Sequence, residues 1–325
     1  MAEYKGIHGT KIQNYTTDPA NPILGQVWYN ETSQTMKVQA VTTAGAWATG
    51  GSLNTARYSL AGAGTQTAAL AFGGQDPSFT GVTESYNGSS WTELNDLNTA
   101  RSDLGGAGTY TSALAFSGNT GSTVANNESW NGTSWTELAD MNTGRRLLGG
   151  TGTSNTASLA FGGYIGPPGV TVFTESWNGT SWTEVNDMNT ARYGFAGTGI
   201  ETSSIAAGGE LNPGNTQAAE SWNGTSWTTV ASLNTFRYLL SGSGADNTSA
   251  LAFGGNVPPA IANTELYNGT SWSEQNDLST ARYYLGGAGT TTAGLAFGGE
   301  IPPQTAATEE WTGAGSPTTR TITSS

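Results

Sequence analysis

The sequence predicts an all-β fold: a six-bladed β-propeller of four-stranded antiparallel blades, its ring closed by an N-terminal strand, with a short N-terminal hairpin arm in front. Three observations predict it. An Asn-Thr-Ala-Arg-type element recurs six times, with its arginine at Arg57, Arg101, Arg145, Arg192, Arg237 and Arg282, at intervals of 44, 44, 47, 45 and 45 residues. Each copy holds four short β-like stretches separated by Gly- and Asn-rich turns, with no helical periodicity. The copies also carry two aromatic series in fixed positions, and one series lacks its last member at the C-terminal end.

Within a copy, the first strand is expected to follow the arginine, as in Arg57-Tyr-Ser-Leu-Ala61. The second is a small apolar run ending in glycines, Ala69 to Gly74, suited to the narrow inner part of a tapering blade. The third carries a carboxylate and an aromatic residue, as in Thr174 to Trp177, and the fourth begins Ser-Trp-Thr-Glu, as in Ser181 to Glu184. Asn-Gly joins third and fourth strands at Asn87, Asn131, Asn178, Asn223 and Asn268. That dipeptide favours a two-residue type I′ turn. Such a turn sets Trp130 against Thr133 and Glu128 against Trp135, so these four side chains share a face and the two tryptophans are diagonal neighbours.

The aromatic series set the closure. Third strands carry Tyr86, Trp130, Trp177, Trp222, Tyr267 and Trp311, whereas fourth strands carry only Trp91, Trp135, Trp182, Trp227 and Trp272. Trp47 precedes the first arginine at the matching offset, so residues 46–49 are expected to complete the last blade beside Trp311, leaving no open sheet edge. The rival is a last strand from Thr318 to Thr323. The organisation is therefore an arm at 1–45, a propeller at 46–313 and a C-terminal tail at 314–325.

Composition bounds the function. Leu, Ile, Val and Phe make only 49 of 325 residues and the net charge is −13, a combination that can signal disorder. Eleven tryptophans, 11% charged residues and the repeat argue for a folded chain. Eleven Lys and Arg, widely spaced, make no basic stripe, so nucleic acid is not an expected partner. There is no apolar run of membrane-helix length, hence no expected membrane insertion, and the start lacks the apolar core of a secretory signal. With no cysteine, disulfides and thiolate metal sites are excluded. His8, the single histidine, lies in the arm and is expected to face solvent, so neither a catalytic residue, a metal site nor a cofactor is predicted.

The apolar strand ending in Gly-Gly (Phe72 to Gly74), the acidic-aromatic strand (Glu84, Tyr86) and the following Trp91 resemble the kelch repeat, over roughly residues 46 to 313. The resemblance implies the propeller; its function is open, since such propellers host binding proteins and a few enzymes. Galactose oxidase-type chemistry needs a Cys-linked tyrosine that this chain cannot form. Sialidase-type boxes lack their Asp and spacing here, and no carboxylate pair is singled out for glycoside hydrolysis. In the arm, Gly25 to Asn30 followed by Glu31 to Val38 reads as a hairpin and resembles one common in tailed-bacteriophage structural proteins. That resemblance implies a virion protein of tail or head, with 1–45 docking to other virion proteins. A plain extension packed on the propeller is the alternative.

Each arginine has one counterpart on a third strand: Glu84, Glu128, Glu175, Glu220, Glu265 and Glu309. One device repeated in every copy is expected to be a structural ion pair rather than a circle of ligand-binding charges. The connections between second and third strands differ in every copy and fall on one face of the disc. Candidate binding-face residues there are Tyr164, Pro167, Pro168, Phe173, Asn212, Pro213, Pro258, Pro259, Pro302 and Pro303, with proline stiffening the loops. Neutral drift in exposed loops is the competing explanation. The expected function is non-enzymatic: a virion structural and adhesion protein presenting this face to neighbouring subunits, a host surface glycan or a host protein, with self-association left open. A cellular kelch-type interaction module and a carbohydrate-active enzyme are the alternatives.

Overall fold

The structure, a computed structural model, describes residues 12–322 apart from 21, 23, 24, 42, 43, 168 and 316. His8 lies outside the described residues. The described elements are all strands, and they fall into two units: residues 46–312, and residues 1–45 with 313–325.

The smaller unit is a four-stranded sheet. Gln13–Tyr15 runs parallel to Val27–Asn30, which pairs antiparallel with Thr35–Val41, and Pro317–Ile322 pairs antiparallel with the latter. The expected hairpin is therefore present, its turn at 31–34. One expectation for the C-terminal end is corrected: residues 317–322 are not part of a separate tail but a strand of this sheet. The rival last strand of the sixth copy from Thr318 onward is therefore not formed by these residues. This β-branched Thr-rich run instead lies opposite Met36 to Ala40. Asp18 ties the sheet together: its carboxylate accepts hydrogen bonds from Trp28 Nε1 (3.0 Å), Asn30 Nδ2 (2.7 Å) and Lys37 Nζ (2.8 Å).

The larger unit is propeller-like, built from repeated four-stranded antiparallel sheets. In the first copy the strands are Ala61–Thr65, Ala68–Phe72, Thr83–Tyr86 and Trp91–Glu93. The same order is seen in the next four, and in the sixth the strands Gly286–Gly289, Ala293–Phe297 and Thr308–Thr312 are joined by Ala46–Thr49. Trp47 stands opposite Trp311 in that pair. Small ribbons at 75–79 and 164–170 elaborate two of the connections between second and third strands.

The core lies between sheets. The second strands are largely buried; Leu70, Ala71 and Phe72 are 0% exposed. Their phenylalanines reach the fourth-strand tryptophan of an adjacent sheet: Phe72 to Trp135 at 4.9 Å, Phe116 to Trp182 at 5.1 Å, Phe161 to Trp227 at 4.8 Å and Phe297 to Trp91 at 5.1 Å between ring centroids. Trp47 obeys the same rule, 4.9 Å from Phe253. The indole nitrogens repeat it: Trp135 donates to Thr83 Oγ1, Trp227 to Thr174, Trp91 to Thr308 and Trp47 to Thr264, at 2.9 to 3.1 Å. Two copies break the pattern: where Ala219 replaces the threonine, Trp272 Nε1 donates to the Ala231 carbonyl at 2.9 Å, and where Asn127 replaces it, Trp182 Nε1 and Asn127 Oδ1 are both buried without a partner.

Two local expectations are corrected. The turn at Asn131 has four residues, not two: Trp130 faces Trp135 and Glu128 faces Glu137. Asn131 Oδ1 accepts the amides of Thr133 and Ser134, both at 2.9 Å, so the asparagine caps the turn with its side chain. Only Gly132 has positive φ there, whereas a type I′ turn needs two such residues. The two tryptophans are thus directly opposed, their ring centroids 5.4 Å apart.

The first strand begins four residues after the arginine, not at it. Ser59, Asp103, Leu147, Gly194, Leu239 and Tyr284, two residues beyond each arginine, all have φ between 54° and 61°, which interrupts an extended strand. Their amides and carbonyls bond to one another. Asp103 donates to Ser59, Leu147 to Asp103, Gly194 to Leu147, Leu239 to Gly194, Tyr284 to Leu239 and Ser59 to Tyr284, at 2.5 to 2.9 Å. The six bonds form a cycle. Beside it the first strands approach closely through glycine: a Cβ on Gly106 would lie 2.8 Å from Phe72 Cζ and 3.0 Å from the Gly62 carbonyl.

Candidate binding face

Each of the six arginines forms an ion pair with the glutamate of its own sheet. Arg57 binds Glu84 (2.5 Å), Arg101 binds Glu128, Arg145 binds Glu175 and Arg192 binds Glu220 (both 2.8 Å), and Arg237–Glu265 and Arg282–Glu309 close at 3.1 Å. All six guanidinium groups are fully buried. The carboxylate does a second job: Glu84 Oε2 accepts the backbone amide (2.7 Å) and the side-chain amide (2.8 Å) of Asn54, gripping the turn before the arginine. Arg57 also donates to the carbonyls of Ala71 and Thr55. Desolvation lowers the pKa values of Arg57, Arg145, Arg192, Arg237 and Arg282, partly offset by the glutamates; that of Arg145 falls to about 10, still charged at neutral pH. Both partners of each pair are thus buried, and the arginines and glutamates are also bonded to the backbone.

The connecting loops are different. Asn212, Pro213, Pro258, Pro259, Pro302, Pro303 and Pro167 are exposed; Pro168 lies outside the described residues. Phe173 is half-buried, and its carbonyl accepts from Arg145, so it belongs to the frame beneath the loop. Each loop starts from a residue bridged to the one after an arginine: Gln75 to Tyr58, Asn119 to Ser102, Tyr164 to Arg146, Glu210 to Tyr193, Asn256 to Tyr238 and Glu300 to Tyr283.

These bridged residues directly precede the members of the hydrogen-bonded cycle, so they gather around it. Tyrosines dominate, and most are half-buried. Tyr58 lies 5.7 Å from Tyr284, Tyr283 lies 5.4 Å from Tyr284, and Tyr164 lies 5.6 Å from Tyr193, between ring centroids. Asn256 Nδ2 donates to the Tyr238 hydroxyl at 3.1 Å. A cavity of about 150 Å³ runs past the cycle, lined there by Ser59, Asp103, Leu147, Gly194, Leu239 and Tyr284, with the other tyrosines of the cluster outside its lining. Burial raises the pKa values of Tyr58, Tyr193, Tyr283 and Tyr284, and nearby carboxylates raise them further: Glu300 for Tyr58 and Tyr283, Glu210 for Tyr193, Asp103 for Tyr284. Burial also raises Asp103, against hydrogen bonds and the charge of Arg146, which act to lower it.

A scan against protein-family models matches none, and a search of curated proteins likewise yields no match. The chemistry must therefore be taken from the residues themselves. Between 46 and 312 the chain has seven arginines and no lysine. Six arginines are in the buried pairs, and the seventh, Arg146, stacks its guanidinium 5.0 Å from the Tyr164 ring centroid. The tyrosine cluster is thus surrounded mainly by carboxylates and amides. Among the described residues no group of three or more His, Cys, Asp or Glu is arranged to hold a metal ion.

Apart from Tyr164, sequence reasoning missed this cluster. The signal was present: the residue after the arginine is Tyr58, Tyr193, Tyr238 or Tyr283 in four of six copies, and the first residue of each variable loop is polar or aromatic.

Proposed function

We propose that the chain is a non-enzymatic virion structural and attachment protein, a closed six-bladed kelch-like propeller that presents its loop face to neighbouring subunits or to a host surface. Support for six blades and closure comes from the cycle of six backbone hydrogen bonds and from Trp47 following the packing rule of the other fourth-strand tryptophans. Support for a binding role comes from one contrast. The buried Arg–Glu device is the same in every copy, whereas the residues around the cycle and in the loops vary and carry aromatic and hydrogen-bonding groups. A frame held constant beneath a varied surface is how repeat proteins make binding faces. Placement on a virion rests on the resemblance of the hairpin at 25–38 to tailed-bacteriophage structural proteins; the smaller unit is then the docking element.

Mass spectrometry of purified particles tests the reading, with the chain expected at a defined stoichiometry. Its absence from particles would favour a cellular interaction module.

A further inference from the structure

We propose that the tyrosine cluster around the cycle is a site for a substituted ammonium group. The inference rests on reading the loop face as the binding face, and it names the chemistry that face selects. Four consecutive copies contribute a tyrosine at the same position, Tyr193, Tyr238, Tyr283 and Tyr58, and these are bridged to Glu210, Asn256, Glu300 and Gln75. Tyr193 and Tyr283 hydrogen-bond through their side chains to Glu210 and Glu300, and Asn256 Nδ2 donates to the Tyr238 hydroxyl, so the arc alternates carboxylate and amide beside the tyrosines.

Charge selects among ligand classes. Among the described residues no ion pair engages Glu210, Glu300 or Asp103, and the only cation acting on Asp103 is Arg146. Carboxylates outnumber the single cation Arg146 here, and a partly desolvated surface where one sign of charge predominates concentrates ligands of the other sign. Anions such as phosphate or sulfate are therefore disfavoured. A small hard metal ion is also disfavoured, since it needs several oxygen ligands converging within about 2.6 Å, and here the carboxylates stand one per sheet. A substituted ammonium matches both features at once. It is weakly hydrated, it is attracted to the negative face of tyrosine within about 6 Å of the ring centre, and the carboxylates neutralise its charge. A neutral sugar could stack on the rings and donate hydroxyls to Glu210 and Glu300, but it would leave their charge unneutralised.

The test is titration of the full chain with choline, tetramethylammonium and lysine, followed by calorimetry and by the aromatic NMR resonances, with potassium chloride and maltotriose as controls. Choline and tetramethylammonium are expected to bind saturably and to shift tyrosine resonances, whereas potassium chloride and maltotriose are not. Glu300→Gln is expected to weaken choline about three- to tenfold, and Tyr283→Ala similarly. Tyr238→Phe is expected to leave choline binding within about twofold, since a ring face and not a hydroxyl does the work; this variant also keeps the packing. Lysine binding as well as choline would assign the group to protein or peptide amines, and choline alone to quaternary ammonium on a surface polymer. Binding of maltotriose but not choline, no binding of either cation, or loss of choline binding in Tyr238→Phe with melting temperature unchanged would each overturn the proposal. The outcome is independent of where the protein resides: a chain absent from particles that still binds choline would leave this inference standing and remove the virion reading, and a particle protein indifferent to choline would do the reverse.

Discussion

Trp47 faces Trp311 across a strand pair, their ring centroids 5.3 Å apart and their residues in register, although most of the chain lies between them. The contact is the last of a series, since Trp47 also packs on Phe253 and donates to Thr264. Trp47→Ala is therefore expected to cost about 2–4 kcal/mol, toward the lower end for a large aromatic because the ring is only partly buried. Chemical denaturation measures it. A loss below about 0.5 kcal/mol would mean that the sixth sheet does not depend on its N-terminal strand.

The buried ion pairs make the opposite kind of case. Removing one partner leaves the other charged and unsolvated, so Arg192→Ala should destabilise by about 3–5 kcal/mol, lowering the melting temperature by on the order of 10 °C. Glu220→Gln should cost less, because its single amide oxygen can still accept from Arg192 in the place of Oε1, although its NH2 group then faces the Asn189 donors that Oε2 accepts from. Equal losses for the two variants would argue against this division of labour between charge and hydrogen bonding.

One substitution should stabilise. Asn127→Thr restores the acceptor that Trp182 Nε1 lacks and that Trp135, Trp227, Trp91 and Trp47 possess. A gain of about 0.5–1.5 kcal/mol is expected, reduced by loss of the bond from Asn127 Nδ2 to the Ala139 carbonyl. A lower melting temperature would show that the latter bond matters more.

In the smaller unit, Asp18 is held at a pKa of about 2, chiefly by its hydrogen bond from Lys37 and next by those from Asn30 and Trp28. An unfolded carboxylate titrates near 3.9, so the folded state binds the proton less readily. The stabilisation is complete above about pH 4 and is lost as the pH falls towards 2. Carboxyl NMR should give the low midpoint, and Lys37→Met should raise it. A wild-type midpoint near 4 would contradict the observed clasp.

What could be read from the sequence, and what could not, divides by the range of the interactions. The arginine and glutamate partners were legible because each copy supplies one of each at fixed offsets, and Trp47 because it filled a numbered gap. The hairpin register was not legible: Asn131 bonds two amides through its side chain, which lengthens the turn and moves Trp135 opposite Trp130. The start of the first strand was displaced by left-handed residues such as Leu147 and Leu239, which no local preference would place there. They adopt that conformation because each supplies a link in a hydrogen-bonded cycle that exists only when six copies assemble. The tyrosine cluster was hidden for the same reason: Tyr58 and Tyr284 are far apart in sequence and meet only through the cycle.

The pairing of Ala46–Thr49 with Thr308–Thr312 also has a consequence for biosynthesis. The earlier strand leaves the ribosome first and must wait for its neighbour while some 260 residues are added, roughly 10–50 s at typical elongation rates. During that interval a nascent chain holds an unpartnered tryptophan and an unmatched strand, exposed to other nascent copies on the same message. Until translation ends, whether that strand meets its own chain or a sibling's depends on their relative concentrations.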